Sequence, residues 1–319
     1  MNYLEYHIKS AEILDIDPSY YLMEYLCDRY VFNLEERLWL AFLYSTCYNS
    51  ATAFYMKNEF PDLSTVDMGR INRWWSEHKN QCIFTTDRLR VKTQNQFPLI
   101  IQSYLKLVEK YGSQENIIAK HKGDTPEQTY INLYNMFNKD LYYYGRFSLF
   151  LLLESFWRLS KLDSILPDTL NLKDAESCRN GVAFAIGRED LNTHDDTVKL
   201  TEEDHSYLQD QFKKLVSDIK EMRPDDNIYN IETTLCAYKK FQYGKRYIGY
   251  YLDRLAREIL QMQENVNEGV CWDPLIDHYY ENIPNGRKLM DELIEARMWE
   301  KQGFSKKKAK TMNSKMVLF

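Results

Sequence analysis

The sequence predicts an all-α, multi-helix globular fold, and three observations support this. Glycine and proline are scarce, with 11 and 8 among 319 residues, which argues against a protein of strands and turns. Apolar residues recur at helical spacing, most clearly in Phe97–Tyr111, where Pro98 stands in the first turn. No stretch shows the sustained alternation that is typical of half-buried strands.

The length and charge limit the class of protein. The chain is long enough for one large helical domain over 1–319, with a possible subdomain boundary at the polar link near 121–128. A formal net charge of −6 excludes a globally basic nucleic-acid binder, so any contact with DNA must be local. The polar N-terminus indicates no signal peptide, and the longest apolar run is too short to span a bilayer. We therefore expect a cytoplasmic protein, in the host cytoplasm if phage-encoded, with no membrane partner.

Capping residues predict where individual helices begin. Asn33 is a predicted N-cap, and the helix after it is expected to run without interruption to Pro61. Gly145 separates a preceding helix from the most apolar one in the chain. Thr201 and Asp204 have the spacing of a capping box for a later helix.

Several catalytic motifs are absent from the sequence. It contains no phosphate-binding P-loop, no glycine-rich dinucleotide turn, no His-Glu-x-x-His and no Gly-x-Ser-x-Gly. The six cysteines are scattered without a CxxC pair, which is neither a zinc-site nor a disulfide pattern. Nucleotide hydrolysis, hydride transfer and zinc chemistry are therefore disfavoured, and we expect no metal and no cofactor.

The most apolar helix contains two polar residues that need an explanation. Arg146 stands at its start and Glu154 in its interior, about 12 Å apart along the axis, so they cannot pair with each other. A buried carboxylate is costly unless it is paired. Glu154 either forms a structural ion pair with Arg158, one turn further on, or binds a cationic amine.

A second polar motif, Ser-Cys-Arg-Asn-Gly at 177–181, begins another apolar helix. Backbone amides at a helix N-terminus attract anions, and Arg179 adds a planar fork of donors, so a phosphate site is one interpretation. The alternative is an ordinary cap, with Asp174 or Ser177 as the N-cap residue.

Basic and aromatic residues alternate in the third segment, 232–257. Glu232, Cys236 and Lys239 share one helical face. Further residues follow: Tyr243, Lys245, Arg246, Tyr247, Tyr250, Tyr251, Arg254 and Arg257. This pattern fits a surface that follows phosphates and stacks on unpaired bases, or else a solvated basic face with its tyrosines packed inward. Residues 70–92 are also rich in Arg and Lys, and a basic tail at 301–319 carries Lys306, Lys307, Lys308 and Lys310.

These segments together resemble a known family. The patterns are LEERLWLAFLYSTCYNSATAFYMKNEFP, GRFSLFLLLESFW, SCRNGVAFAIGRED, and ETTLCAYKKF followed by RYIGYYLDR. They resemble the phage α-glutamyl/putrescinyl-thymine pyrophosphorylase family, whose members are also described as amino acid:DNA transferases. The resemblance covers most of the chain and implies a helical fold similar to that of DNA glycosylases.

The resemblance also implies an activity and its partners. In such pathways a DNA kinase first phosphorylates or pyrophosphorylates 5-hydroxymethyluracil in double-stranded DNA. The transferase then replaces that leaving group with a free amino acid or polyamine, which gives a hypermodified thymine. Because this chain has no P-loop, it resembles the stand-alone transferase, with the 5-hydroxymethyluracil DNA kinase as its pathway partner.

The chemistry of this displacement assigns provisional roles. Cations must stabilise the departing phosphate, and a carboxylate must orient and deprotonate the incoming amine. For the phosphate we predict Arg146, Arg179 and Lys239. For catalysis we predict Glu154 and Glu232, with Asn180 as an orienting donor. For DNA we predict Arg246, Tyr250, Tyr251 and Arg254.

Two other functions fit the same features. The chain could be a non-catalytic helical DNA-binding partner of the kinase, or a glycosylase-like enzyme that excises a modified base. The first predicts DNA affinity without a product, and the second predicts abasic sites.

Overall fold

The computed structural model describes residues 1–194 and 198–301, with side chains described as far as residue 295. Within these residues it contains sixteen α-helices and no β-strand, so the all-α prediction is confirmed. In chain order they are α1 (Tyr3–Glu12), α2 (Pro18–Arg29), α3 (Leu34–Cys47), α4 (Ser50–Glu59), α5 (Met68–His78), α6 (Leu89–Thr93), α7 (Phe97–Tyr111), α8 (Gln114–Lys120), α9 (Pro126–Asp140), α10 (Arg146–Ser160), α11 (Glu176–Ala185), α12 (Glu202–Met222), α13 (Ile228–Gln242), α14 (Tyr250–Asn265), α15 (Asp273–Asn282) and α16 (Gly286–Lys301). The predicted tail at 301–319 lies almost wholly outside the described residues.

The chain forms two compact units, each built from separate segments. The first unit contains Met1–Pro18, Asp168–Arg254 and the described residues from Ile283 onward. The second contains Ser19–Pro167 and Leu255–Asn282. The predicted link near 121–128 lies inside the second unit, and the single domain over 1–319 stays a prediction.

The core of the second unit is organised around α3 and α10. Every residue of α3 from Leu38 to Cys47 is buried, as expected for a helix that is apolar on most faces. Stacked aromatic rings extend from this helix, with 3.7 Å between the ring centroids of Phe42 and Tyr104. Aromatic rings of this size bury large apolar areas in the core. Much of the tyrosine content therefore serves packing.

The prediction of one unbroken helix from Asn33 to Pro61 is wrong. Asn33 does cap α3, in a capping box with Glu36, but α3 ends at Cys47. Tyr48 then adopts a left-handed conformation with φ of 53°, and the Asn49 side chain accepts a hydrogen bond of 2.8 Å from the backbone N–H of Thr52. The chain restarts as α4 because asparagine is a strong N-cap, a signal present in the sequence but masked by the apolar pattern.

In the first unit, α1 is anchored to α13 through a buried polar network. The His7 ring joins Thr234 Oγ1 through Nδ1 and the Asp226 carboxylate through Nε2, both at 2.8 Å. The Tyr3 hydroxyl lies 3.0 Å from the same Thr234 oxygen. All these groups are buried, and each has a hydrogen-bond partner. A buried network that is satisfied in this way fixes how α1 packs against α13. The capping box predicted at Thr201 and Asp204 is confirmed at the start of α12.

None of the helices in the described ranges is both long enough and apolar enough to cross a membrane.

Candidate active site

The structure divides the predicted site residues between the two units. Arg146 and Glu154 lie on α10 in the second unit. The first unit contains all the others: Arg179, Asn180, Glu232, Lys239, Arg246, Tyr250, Tyr251 and Arg254. Within the first unit, two local groups form, one between α11 and α13 and one at the start of α14.

The close approach of α11 to α13 depends on Gly181. A β-carbon placed there would lie only 2.3 Å from the backbone carbonyl oxygen of Leu235. The two helix backbones therefore touch at this point, which only glycine permits. As a result, Ser177 in the first turn of α11 reaches Lys239 on α13.

Lys239 has a buried ammonium group that donates a hydrogen bond to a neutral hydroxyl. Its side chain is 7% exposed, and Nζ donates to Ser177 Oγ at 3.3 Å. Burial lowers the pKa of Lys239, although nearby Cys236 and Glu176 partly offset this. A desolvated cation whose hydrogen bond goes to a hydroxyl gains much from an anion brought beside it.

A carboxylate shares the helical face of Lys239. Glu232 Oε1 accepts a hydrogen bond of 3.3 Å from the thiol of Cys236, one turn along α13. Burial first, and then the Glu232 charge, raise the pKa of Cys236 well above its usual value, so this sulfur stays a thiol and not a nucleophilic thiolate. We refer to Ser177, Glu232, Cys236 and Lys239 as the α11–α13 cluster. It combines a carboxylate with a cation.

Arg179 and Asn180 lie next to the α11–α13 cluster but have protein partners. The Arg179 guanidinium donates to the carbonyl oxygens of Leu172 and Lys173, at 3.2 and 2.9 Å. It also donates to the Thr193 hydroxyl at 3.2 Å, and Asn180 Oδ1 accepts from the Thr193 backbone N–H at 3.1 Å. These bonds hold the segments on either side of α11. The predicted roles of Arg179 in phosphate binding and of Asn180 in catalysis stay predictions.

The N-terminus of α11 carries no side-chain cap. Its N-cap residue is Ala175, so neither Asp174 nor Ser177 serves as the predicted cap. Among described residues, Asn180 Nδ2 and Arg179 Nε are buried without a hydrogen-bond partner.

The predicted DNA-binding residues form a stacked group at the start of α14. The Arg246 guanidinium lies 3.8 Å from the centroid of the Tyr250 ring, a cation–π contact. The Tyr250 and Tyr251 rings are perpendicular, with centroids 5.3 Å apart. Burial raises the pKa of Tyr251, and Arg254 is half-buried on the next turn. A nucleobase could stack on these side chains only beside the existing contacts or after the rings separate.

Asp15, which the sequence analysis missed, caps α14. Its carboxylate accepts the backbone N–H groups of Gly249, Tyr251 and Leu252 at 2.7, 2.8 and 3.0 Å. It thereby accepts from N–H groups that the N-terminus of a helix leaves without partners. Burial raises the pKa of Asp15 to about 7, because the three N–H bonds compensate only partly for lost hydration.

We expect the Asp15→Asn substitution to remove a pH dependence of stability. Because the pKa of Asp15 in the folded state, about 7, exceeds the unfolded value of about 3.9, its ionisation destabilises the fold. The free energy of unfolding of the parent, relative to the variant, should fall by up to about 4 kcal/mol between pH 4 and pH 7 and then level off. Urea unfolding of both proteins across this range measures the difference. Parallel curves would contradict the assignment.

On α10, Glu154 is paired and Arg146 is not buried. Glu154 is 2% exposed, and its Oε1 accepts from Arg158 Nε at 3.4 Å. This is the ion pair that the sequence analysis offered as the structural alternative. Arg146 is exposed in the first turn, where the N-cap residue Gly145 provides no side-chain cap.

We expect Glu154→Gln to lower the free energy of unfolding by up to about 3 kcal/mol, because buried Arg158 loses one carboxylate partner while Glu24 still favours its charge. The double substitution Glu154→Gln/Arg158→Met should recover part of this loss. Urea unfolding measures both effects. Assayed below the unfolding transition, a purely structural Glu154 would leave the double variant active, whereas a catalytic one would leave it inactive. Unchanged stability in the single variant would refute the ion-pair account.

No set of three or more His, Cys, Asp or Glu side chains within the described ranges is arranged to hold a metal ion. Besides Asp15, the sequence analysis missed the distinct position of Arg88, which it treated only as one of several basic residues in 70–92. Arg88 is buried, and its hydrogen-bond partners in the described part of the chain are neutral. A charge pattern in the sequence does not reveal such contacts.

These positions define a helical protein with buried cations, suited to an anionic substrate. The chain belongs to the amino acid:DNA transferase family, whose model matches residues 12–247. A serinyltransferase of Salmonella phage ViI is 27% identical over 259 residues, which cover 75% of this chain. The chain spans 61% of the length of that relative. No solved structure matches. The predicted family is thus confirmed, while the transferase activity of this chain and the similarity to DNA glycosylases stay predictions.

Proposed function

We propose that this protein replaces the phosphate or pyrophosphate on activated 5-hydroxymethyluracil in DNA with an amino acid. The family match carries the proposal, because residues 12–247 include every predicted catalytic and phosphate-binding residue. The name of the phage relative, a serinyltransferase, supports an amino acid as the group transferred. A polyamine is the alternative donor.

The proposed reaction is a displacement at the exocyclic methylene carbon. The amine or hydroxyl of the donor forms a new bond to this carbon, and the carbon–oxygen bond to the phosphate breaks. The bonding electrons leave with the phosphate or pyrophosphate, and the donor loses its proton to a carboxylate. Because negative charge develops on the leaving group, fixed cations in a poorly hydrated site lower the barrier most.

The α11–α13 cluster supplies groups of the kinds required. Lys239 would stabilise the leaving phosphate, since its ammonium is desolvated and bonded to a hydroxyl. Glu232 would orient the donor and accept its proton. In the same unit, Arg179 is a further proposed phosphate contact and Asn180 the orienting donor. The roles predicted for Arg146 and Glu154, which belong to the second unit, stay predictions.

The stacked group at the start of α14 would hold the DNA. Arg246 and Tyr250 already form one stacked pair, which offers a π-face and a charge to an extruded base or its backbone. Tyr251 and Arg254 complete this proposed surface. The activated base requires an earlier phosphorylation, so a 5-hydroxymethyluracil DNA kinase is the proposed pathway partner.

The test is nucleoside mass spectrometry. Purified protein is incubated with duplex DNA containing phosphorylated or pyrophosphorylated 5-hydroxymethyluracil and with pooled amino acids and polyamines. A nucleoside that gains the mass of a donor supports the proposal and identifies the donor. Abasic sites would indicate base excision, and DNA binding without a product would indicate the non-catalytic partner. Either of these outcomes would overturn the transferase assignment.

A further inference from the structure

Arg88 is a buried cation held only by neutral groups in the described part of the chain. Its side chain is 4% exposed. Nε donates to the carbonyl oxygen of Thr46 at 3.1 Å, and Nη1 donates to Ser148 Oγ. Nη2 is buried and has no hydrogen-bond partner among the described residues. The guanidinium is therefore only partly satisfied.

The nearest aromatic group, Tyr144, does not neutralise this charge. Its ring lies 5.0 Å from the guanidinium carbon of Arg88, and its hydroxyl already bonds Ser45 and Thr46 at 2.7 and 2.9 Å. Burial raises the pKa of Tyr144, so it stays a neutral phenol. Burial lowers the pKa of Arg88, and no carboxylate is among the groups that oppose this. An unpaired buried guanidinium costs several kcal/mol, which an anionic ligand would offset.

Arg88 is directed at the N-terminus of a long helix. Ser148, which accepts its hydrogen bond, stands in the first turn of the 15-residue helix α10. The N-cap residue Gly145 provides no side-chain cap, and Gly145, Arg146 and Phe147 are exposed to solvent. Backbone N–H groups and the helix dipole favour an anion at this turn, and two arginines, one buried and one exposed, flank it.

Aromatic side chains border the same turn. Phe147 is 36% exposed, and its ring lies edge to face with Tyr48 at 5.6 Å between centroids. Tyr142 is also largely exposed, three residues before Gly145. Rings of this kind can hold an unpaired base beside a bound phosphate.

We propose that Arg88 and the first turn of α10 form a phosphate-binding subsite of the second unit. A phosphate oxygen would accept from the free Nη2 of Arg88 and from backbone N–H groups of the turn, while Arg146 contributes a second charge from the solvent side. Arginine suits this role because its planar fork binds two oxygens at once. The phosphate belongs either to the DNA backbone or to the activated base. That assignment to DNA rests on the proposed function, whereas phosphate binding itself does not.

The first experiment needs neither DNA nor activity. Inorganic phosphate and pyrophosphate are titrated into the full chain, with binding followed by calorimetry and by the ligand-dependent rise in Tm. We expect Arg88→Met to weaken binding of at least one of these anions tenfold or more. Arg90→Met is the matched control, because it removes an exposed charge two residues away and should change affinity less than twofold.

A second variant covers the case in which Arg88→Met does not fold. Ser148→Asp places a carboxylate against Arg88 and in the first turn of α10, where the dipole favours it. This variant should remain folded and lose phosphate binding, because its own carboxylate takes the place of the ligand. A folded Ser148→Asp protein that binds both anions as the parent does would overturn the proposal. So would an Arg88→Met protein with parental affinity for both anions.

A DNA arm separates the two sources of phosphate. If the subsite binds the backbone, Arg88→Met weakens binding to an unmodified duplex and reduces its salt dependence by about one phosphate contact. If it binds the activated base, affinity for the unmodified duplex is unchanged, and pyrophosphate competes only with modified DNA. A transfer assay without product, beside intact phosphate binding, would refute the proposed function alone.

Discussion

Replacing Lys239 with methionine is expected to reduce transfer by about 100-fold or more while leaving the protein folded. Loss of one preorganised donor to a developing anion has effects of this size. Methionine has an unbranched side chain of similar length, so the packing contacts are kept. The substitution also removes the cost of burying a charge, so the free energy of unfolding should be maintained or raised. The measurement is single-turnover transfer onto phosphorylated 5-hydroxymethyluracil DNA.

Lys213→Met is the control for this substitution. Lys213 lies on α12 in the same unit, with its side chain 63% exposed, and its loss changes the net charge equally. Its rate should stay within about twofold of the parent, since screened surface charges act weakly. If Lys239→Met retained a third or more of the parental rate, Lys239 would not bind the leaving group.

Gly181→Ala is expected to destabilise the protein by about 3 kcal/mol, near the upper end of what overpacking usually costs. The added carbon would lie 2.3 Å from the Leu235 carbonyl oxygen, and a backbone atom of a buried helix cannot rotate away. The two helices must separate, which also moves Ser177 from Lys239. Chemical denaturation measures the loss of stability, and the transfer rate of the folded fraction should fall with it.

Gly145→Ala is the control, because Gly145 has space for a β-carbon. A β-carbon there meets nothing within 4 Å, and the backbone has an ordinary φ of −101°. The change should cost only a few tenths of a kcal/mol. Equal stability of the two alanine variants would show that α11 and α13 are not in the close contact described.

Local signals in the sequence predicted much of the fold. Helical periodicity and scarce turn residues identified the all-α class, and Asn33 and Thr201 marked helix starts because capping depends on residues only three apart. The wrong prediction of one continuous helix across Asn49 also came from reliance on local signals. An apolar pattern on both sides of a break resembles one continuous helix, and it masked the N-cap signal of Asn49. The left-handed conformation of Tyr48 shows the turn only in the structure.

The candidate site was less predictable because its energetics depend on tertiary partners. Glu154 was identified as a residue that needs a partner, but the sequence alone could not decide between Arg158 and a ligand. Asp15 is some 230 residues from the N–H groups it caps, for example 234 from Gly249. Arg88 resembled other basic residues until its burial, without a carboxylate beside it, distinguished it.

The anchoring of α1 has a consequence for how the chain folds during synthesis. The partners of His7, Asp226 and Thr234, are 219 and 227 residues further along the chain. Helix α1 therefore emerges from the ribosome long before they are synthesised. Until then the aromatic face of α1 lacks the partners that bury it in the folded protein. Contacts between residues so far apart in sequence also form slowly. The first unit can complete its folding only after α13 has been translated. Helix α1 is therefore synthesised first but packs into the unit late.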